Sequence, residues 1–409
     1  MRTLFVISHV PLPLNVGGNL RPYHMLRALT SISEVSVVCA VKPGADAHYV
    51  DELRTMCHHV LPFPVDSFRW RADIGRRLPR LRAALQHLDP SEPALLKSYH
   101  SAAAASLLGN LAQVPFDLVW IERLDLLPNL PRTLPGRVVV DLHDIEHRKL
   151  ASRLRTRGWR LGLPFDVADY LKLRALERAL PRRSWDVVVC SEVDRAALGA
   201  HPRVSVVPNG IELPAPGDRV ADPASPVFVF VGAMFYEPNV DAVQWFARAI
   251  LPRIRMRSPR ARFVVVGRDP RPEIAALHDG DTVTVTGTVD DVAPYLRRAS
   301  VAVAPIRMGS GTRIKILDAF AHGTPVVSTT LGAEGLEVSH GRELLLADAP
   351  EAFAATCVRL AADRTLQAAL AARALELVQR HYQWQDVERQ VQALALGAAR
   401  DLAPVGAAR

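Results

Sequence analysis

Two segments of the chain concentrate groups that could do chemistry. The first runs from Pro305 to Pro325. In it Gly309, Ser310, Gly311 and Thr312 free backbone N–H groups at the start of a helical segment, and Arg313 and Lys315 bring two cations to the same end. Amides, the positive end of a helix dipole and cations converging on one point suit a diphosphate. Asp318 lies five residues after Arg313 on that helix. There its carboxylate can accept hydrogen bonds from ribose hydroxyls. Solvated surface charge is the simpler reading of Arg313 and Asp318. The second segment is Asp141-Leu142-His143-Asp144-Ile145-Glu146-His147, dense in titratable groups at the end of an apolar run. Imidazole and carboxylate are metal ligands, but no further His stands at zincin spacing, so no metal site is expected. Either His also reads as a capped structural residue.

Three more loops follow apolar runs. Pro11–Arg21 carries Gly17 and Gly18 just before an amphipathic helix, where backbone amides can approach an anion. It is not the Gly-x-Gly-x-x-Gly dinucleotide fingerprint, and no Walker sequence occurs. Val231-Gly232 precedes Tyr236-Glu237-Pro238-Asn239, which leads into a helix, and Val266-Gly267 places Arg268 at a sheet's carboxyl edge.

These loops need a scaffold. Continuous β-branched runs predict parallel strands buried on both faces at Leu4–Ser8, Val35–Ala40, Leu118–Ile121, Val138–Leu142, Val187–Cys190 and Val204–Val207. The second half repeats the plan at Val227–Val231, Arg262–Val266, Val283–Thr286, Val301–Ala304 and Pro325–Ser328. Helical periodicity falls between them, over Arg21–Thr30, Leu171–Pro181, Asp241–Arg257, Ala293–Ala299 and Thr312–Ala321. Alternating β and α predicts an α/β chain of two doubly wound domains, which bind ligands at the carboxyl ends of their strands. The proline-rich stretch 212–226 reads as the linker. The first domain is then 1–211 and the second 227–382, with a helical tail, 383–409, bending at His381–Trp384 to return to the first.

Composition agrees with a folded, two-domain chain. Of 409 residues, 49% are hydrophobic and 22% charged, which excludes disordered and fibrous classes. Cys39, Cys57, Cys190 and Cys357 have no ligand spacing and predict reduced, buried thiols. No apolar run reaches the length of a membrane span, and the opening strand is too short for a signal sequence, so a cytoplasmic protein is expected. The net charge of +8 lies wholly in residues 1–208, which hold 28 basic and 20 acidic residues, whereas 209–409 hold 22 of each.

Taken together, further motifs carry a resemblance. They are Pro208-Asn209-Gly210, Val231-Gly232, Tyr236-x-Pro238-Asn239, Gly287-x-Val289-x-Asp291, the run Gly309–Ala319, Gly323-x-Pro325-Val326-Val327 and Gly332-Ala333-Glu334-Gly335-Leu336. The chain resembles, over essentially its whole length, the family 4 retaining glycosyltransferases of the GT-B fold, and especially bacterial envelope and exopolysaccharide sugar transferases. The resemblance implies two Rossmann-like domains facing a cleft. It implies transfer from a nucleotide-diphosphate sugar to a glycan or polyprenyl-linked acceptor, with no cofactor and no metal.

The family pairs two glutamates with seven residues between them, and those positions are Ser310 and Asp318 here. The second holds the donor ribose, and Asp318 keeps its carboxylate. Of the cations, Arg313 and Lys315 are favoured for the diphosphate over Arg268. By the same resemblance Gly17 and Gly18 form the glycine-rich loop, His143 contacts the transferred sugar, and Gly332–Leu336 approaches the diphosphate or sugar. Gly232 and Asn239 complete the donor set. A catalytically silent sugar-nucleotide-binding homologue and a sugar-nucleotide 2-epimerase are the alternatives. Nucleic acid is not an expected partner, for want of aromatic-basic interleaving. An anionic membrane surface is one, through the basic stretch 148–183 and the Arg-rich segment Arg69–Arg82, whose apolar stripe runs over Phe68–Leu85. A helix packing that stripe on the core is the competing reading.

Overall fold

The structure, a computed structural model, describes residues 1–14, 17–68, 92–157, 163–215, 217, 219, 222 and 224–397. The chain divides into two compact units, Met1–Pro208 with Val387–Arg409, and Asn209–Asp386. The division falls three residues before the expected end of the first domain. Asn209 and Ile211 are tied into the second unit, where Asn209 Nδ2 donates to Thr312 Oγ1 at 2.6 Å and Ile211 N–H donates to the Tyr382 carbonyl at 2.6 Å. The Arg-rich segment expected over Arg69–Arg82 lies outside the described residues. Its first apolar residue, Phe68, is buried against Phe63 and Tyr99.

The first unit holds seven parallel strands: β1 (Arg2–Ile7), β2 (Glu34–Val41), β3 (His59–Pro64), β4 (Leu118–Glu122), β5 (Arg137–Leu142), β6 (Asp186–Val189) and β7 (Val204–Val206). Their order is β3-β2-β1-β4-β5-β6-β7. β1, β2, β4, β5 and β6 are apolar runs covered on both faces; Phe5, Val6, Val119, Trp120, Val139, Val140, Val187 and Val188 are fully buried. Strand β3 was not expected, because Pro62 and Pro64 interrupt its sequence. It pairs only with β2, and an edge strand tolerates residues that cannot donate to a ladder.

The second unit holds β8 (Val227–Val231), β9 (Arg262–Val266), β10 (Val283–Val285), β11 (Val301–Ala304), β12 (Val326–Ser328) and the two-residue β13 (Leu345–Leu346), in the order β10-β9-β8-β11-β12-β13. All its pairings are parallel. In each sheet the chain order reverses beside the first strand, between β1 and β4 and between β8 and β11. A doubly wound sheet opens its ligand crevice at the carboxyl ends of such strands.

The helix expected over Asp241–Arg257 begins earlier, at Glu237, and passes through a π-helical turn, Phe246–Ile250, before Leu251–Arg255. Pro252 has no N–H to give the preceding turn, and the wider turn absorbs the mismatch. The tail forms helices Pro350–Ala362, Arg364–His381 and Trp384–Ala395, broken at Tyr382 and Gln383. From Val387 the last helix belongs to the first unit. There Glu388 pairs with His24 Nδ1 at 2.6 Å and accepts from Arg27 Nε at 2.8 Å. No helix among the described residues is long and apolar enough to cross a membrane. All four cysteines are buried and none forms a disulfide, as the scattered spacing predicts.

Candidate active site

The residues expected to bind the donor gather where β8 and β11 end. The loop after β11 turns through Gly309 (φ 117°) and Gly311 (φ 76°), backbone conformations that favour glycine. The helix expected from Thr312 starts instead at Ile314, with Arg313 at its N-cap position in an extended conformation (φ −94°, ψ 91°). Arg313 therefore folds back over its own loop rather than projecting along a helix face. Its Nη1 donates to the Ser310 and Gly311 carbonyls. Its Nε and Nη2 are buried and have no partner among the described residues. A guanidinium has five donors, and leaving buried ones unmade costs about 1–3 kcal/mol.

Lys315, in the first turn of that helix, donates from Nζ to Asn239 Oδ1 at 2.7 Å and sits 3.8 Å from the centre of the Phe230 ring. Burial, and then the nearby Arg313 guanidinium, push its ammonium well below the usual lysine range. An anion placed there would favour the charged form again. Asn239 is held in turn, its Nδ2 donating to the Ala233 carbonyl at 2.9 Å. Gly232 makes the approach sterically feasible: a Cβ there would come 2.8 Å from Lys315 Nζ and 2.7 Å from Asn239 Nδ2. Val231-Gly232, Asn239 and Lys315, three separate motifs in the sequence, thus form one contact.

Asp318 lies in the second turn. Its Oδ1 is 3.3 Å from His322 Nδ1, which also pairs with the Asp318 carbonyl at 2.9 Å. These contacts raise the His322 pKa against the opposing effect of burial. Asp318 Oδ2 has no partner among the described residues. Arg268 is more occupied: its guanidinium lies over the Phe235 ring at 5.2 Å, and its Nε is 3.9 Å from Asp269. Gly332 and Ala333 belong to a short helix, Thr330–Ala333, after β12, where Thr329 Oγ1 accepts from the Gly332 N–H at 2.9 Å. Leu336 is buried, while Glu334 and Gly335 are half-buried.

The first unit carries a second cluster, at the ends of β1, β4 and β5. His143 stands just past β5, with Nε2 2.5 Å from Glu122 Oε2. Glu122 closes β4, is fully buried, and accepts from Trp120 Nε1 at 2.8 Å. Burial pushes the Glu122 carboxyl up to about 7 and the His143 imidazole down to about 4. Behind them Arg21 grips Asp141 in a bidentate pair, with Nη2 2.7 Å from Oδ1 and Nε 2.9 Å from Oδ2. Arg21 is 2% exposed and Asp141 fully buried.

Ligand atoms of Glu122, Asp141 and His143 lie within 4.8 Å of one another, but the Arg21 cation already occupies Asp141. The other histidine of the segment, His147, is the structural one. Its Nδ1 pairs with buried Glu177 at 2.5 Å, and Glu177 also accepts the N–H groups of Glu146 and His147 at the start of the helix Glu146–Arg157. Gly17 and Gly18 lie inside the helix Gly17–Thr30 rather than before it. Both are exposed, and a Cβ at either would meet nothing within 4 Å.

Glu122, Trp120 and Arg21 have no motif in the sequence. Glu122 ends an apolar strand, and a carboxylate at a strand's carboxyl end was the available signal. Arg21 reads as one more cation of a basic half.

Comparison with known proteins places part of the second unit beside a family model. Residues 225–363 match the family model described as glycosyl transferases group 1. Over 150 residues the chain is 33% identical to a phosphatidyl-myo-inositol mannosyltransferase of Mycolicibacterium smegmatis. Over 162 residues it is 23% identical to an uncharacterized 44.6 kDa protein in the cps region of Klebsiella pneumoniae. These matches take in 35% and 38% of this chain, and the chain spans only 38% and 42% of the two relatives' lengths.

Solved structures match over nearly the whole chain. Sucrose-phosphate synthase from Thermosynechococcus elongatus superposes with a TM-score of 0.68 at 18% identity, covering 97% of this chain and 99% of that one. Anabaena HepE, in complex with UDP and glucose, gives 0.61 at 14% identity, with the same coverage. The chain thus has the α/β GT-B fold of two Rossmann-like units, and its residues 225–363 match the model of the glycosyl transferases group 1 family.

Proposed function

We propose that this chain is a retaining glycosyltransferase that moves a sugar from a nucleotide-diphosphate sugar to a glycan or lipid-linked acceptor, in envelope or exopolysaccharide synthesis. The observation that carries the reading is Arg313: two buried guanidinium nitrogens without a partner among the described residues, beside a lysine whose charge burial disfavours. A diphosphate satisfies both at once. As the anomeric C–O bond breaks, negative charge builds on the leaving diphosphate. Arg313, Lys315 and the amides of Gly309–Thr312 then stabilise it without a metal or other cofactor. Asp318 binds the ribose through Oδ2, Gly332–Leu336 approaches the diphosphate or sugar, and His143 faces the transferred sugar. The family domain, the mannosyltransferase relative and the cps-region relative support the reaction class and setting. HepE with UDP and glucose makes a uridine nucleotide the first donor to try.

Incubating the protein with a panel of UDP-, GDP- and ADP-sugars and measuring released nucleotide tests the reading. Slow donor hydrolysis is expected, with the anomeric configuration retained in any transfer product. Asp318→Ala should raise the donor KM by about 10- to 100-fold with a smaller change in kcat, the value of a hydrogen bond to a charged group. Tight donor binding without turnover would instead mark a silent homologue.

The reading extends to a peripheral location at the cytoplasmic face of a membrane. The helix Leu163–Ala179 exposes Val167 and Leu171, one turn apart, within the basic stretch 148–183. Apolar residues ringed by cations suit an anionic lipid surface. Salt-sensitive co-sedimentation with anionic vesicles is expected, and none with neutral ones.

A further inference from the structure

Glu122 uses its two oxygens differently. Oε1 accepts from Trp120 Nε1–H, and Oε2 holds His143 Nε2 at 2.5 Å. The imidazole is anchored through one nitrogen only. The ring keeps 15% of its exposure, and Nδ1 has no partner among the described residues. A neutral imidazole carries one proton, so its two nitrogens have opposite roles. If the Glu122 carboxyl holds the shared proton, it donates to Nε2, and Nδ1 must be an N–H donor. If Glu122 is ionised, it accepts from Nε2–H, and Nδ1 must be an acceptor.

We propose that Glu122 is the positioning residue for His143, and that its protonation state sets whether Nδ1 donates to, or accepts from, a hydroxyl group of the bound sugar. This rests on the reading that His143 faces the sugar.

The surrounding charges are consistent with a carboxyl that titrates near neutrality while the imidazole stays uncharged. Glu122 faces Arg21 from the helix after β1 and Arg123 from the end of its own strand; both favour its ionised form, and burial opposes them. Arg21, Asp141, Arg123 and Asp144 surround His143, His9 approaches it from the end of β1, and Cys190 after β6 donates to its carbonyl. Burial outweighs the carboxylates and keeps the ring neutral. Below about pH 7, where Glu122 is protonated, Nδ1 is a donor. Above it, Nδ1 is an acceptor.

Nitrogen NMR of 15N-histidine-labelled full-length protein reads the tautomer directly. From about pH 5.5 to 8.5, the wild-type His143 signal should pass from the Nδ1–H to the Nε2–H form with a midpoint near 7. Glu122→Gln presents an amide N–H to Nε2 and should lock the Nδ1–H form at every pH. Trp120→Phe removes a hydrogen bond that favours the ionised carboxyl and should move the midpoint upward. In turnover, Glu122→Gln should erase the pH limb near 7 and hold the rate at the value the wild type has on the acid side of that limb. A wild-type tautomer that ignores pH, or a Glu122→Gln protein that titrates like the wild type, overturns the proposal. Full turnover by His143→Gln would sink the sugar-facing reading separately, because the NMR titration does not depend on activity.

Discussion

Arg313→Ala should lower donor turnover by about 100- to 1,000-fold in kcat/KM, the effect of removing one preorganised donor from a developing oxyanion. The size follows from the geometry. Arg313 Nη1 is committed to the Ser310 and Gly311 carbonyls, which fix the plane of the guanidinium. Its Nε and Nη2 are then held ready, buried and without a partner among the described residues. Donors fixed in this way need no reorganisation when charge develops. Arg313→Lys should not rescue, since an ammonium cannot bridge two loop carbonyls and still present two more donors in a plane. Steady-state release of nucleotide checks both variants. A thermal unfolding scan checks the converse: the relief of two buried, unmade nitrogens offsets the lost contacts to the Ser310 and Gly311 carbonyls, so the ligand-free protein should change in stability by no more than about 1 kcal/mol. An arginine that mattered only for folding would show the opposite pattern.

Arg21→Ala should destabilise the first unit by about 3–5 kcal/mol, because it leaves the buried Asp141 carboxylate uncompensated. The same change orphans the Val207 and Pro208 carbonyls that Arg21 Nη1 also serves. Burial holds the Asp141 carboxyl above its usual range even beside Arg21, which lowers its pKa, and Glu122 raises it further. Without Arg21 the folded-state pKa rises well above its unfolded value. The unfolded-state pKa is common to both proteins, so the loss should grow as pH climbs past the folded-state pKa of Asp141 in the wild type, which already lies above the ordinary carboxyl value. Urea unfolding at several pH values reads both effects, and equal destabilisation at every pH would count against the ion pair. Replacing both partners with apolar residues, Arg21→Met with Asp141→Leu, should recover much of the stability, since a buried pair is worth little against well-packed hydrocarbon.

Much of the fold is legible in the residues. A parallel strand buried on both faces must be apolar along its whole length, and Val227–Val231, Arg262–Val266 and Val301–Ala304 begin and end where their composition predicts. Where that signature weakens, so does the reading. β3 contains two prolines, β13 has two residues, and Pro252 turns an expected straight helix into one with a π-helical segment. The helix start at Ile314 rather than Thr312 also matters, because it puts Arg313 into an extended backbone where it can fold over its loop.

The donor-side motif could be found from sequence because its parts are adjacent. Gly309 to Asp318 is one loop and two helical turns, and local spacing alone brings amides, cations and a carboxylate together. The companion site could not. Arg21, Trp120, Glu122, Asp141 and His143 come from β4, from β5 and the turn after it, and from the helix that follows β1. They meet because the sheet order sets β1 beside β4 and β4 beside β5. Periodicity carries which residues are buried, but not which buried polar group will find which partner across neighbouring strands. His143 and Asp141 could be singled out from their segment. That Asp141 is spent on Arg21, that His147 belongs to Glu177, and that His143 turns one nitrogen to Glu122 and leaves the other without a partner among the described residues were decided by strand pairing. A buried polar atom must be satisfied by whatever the packing sets beside it, and only the folded chain determines what that is.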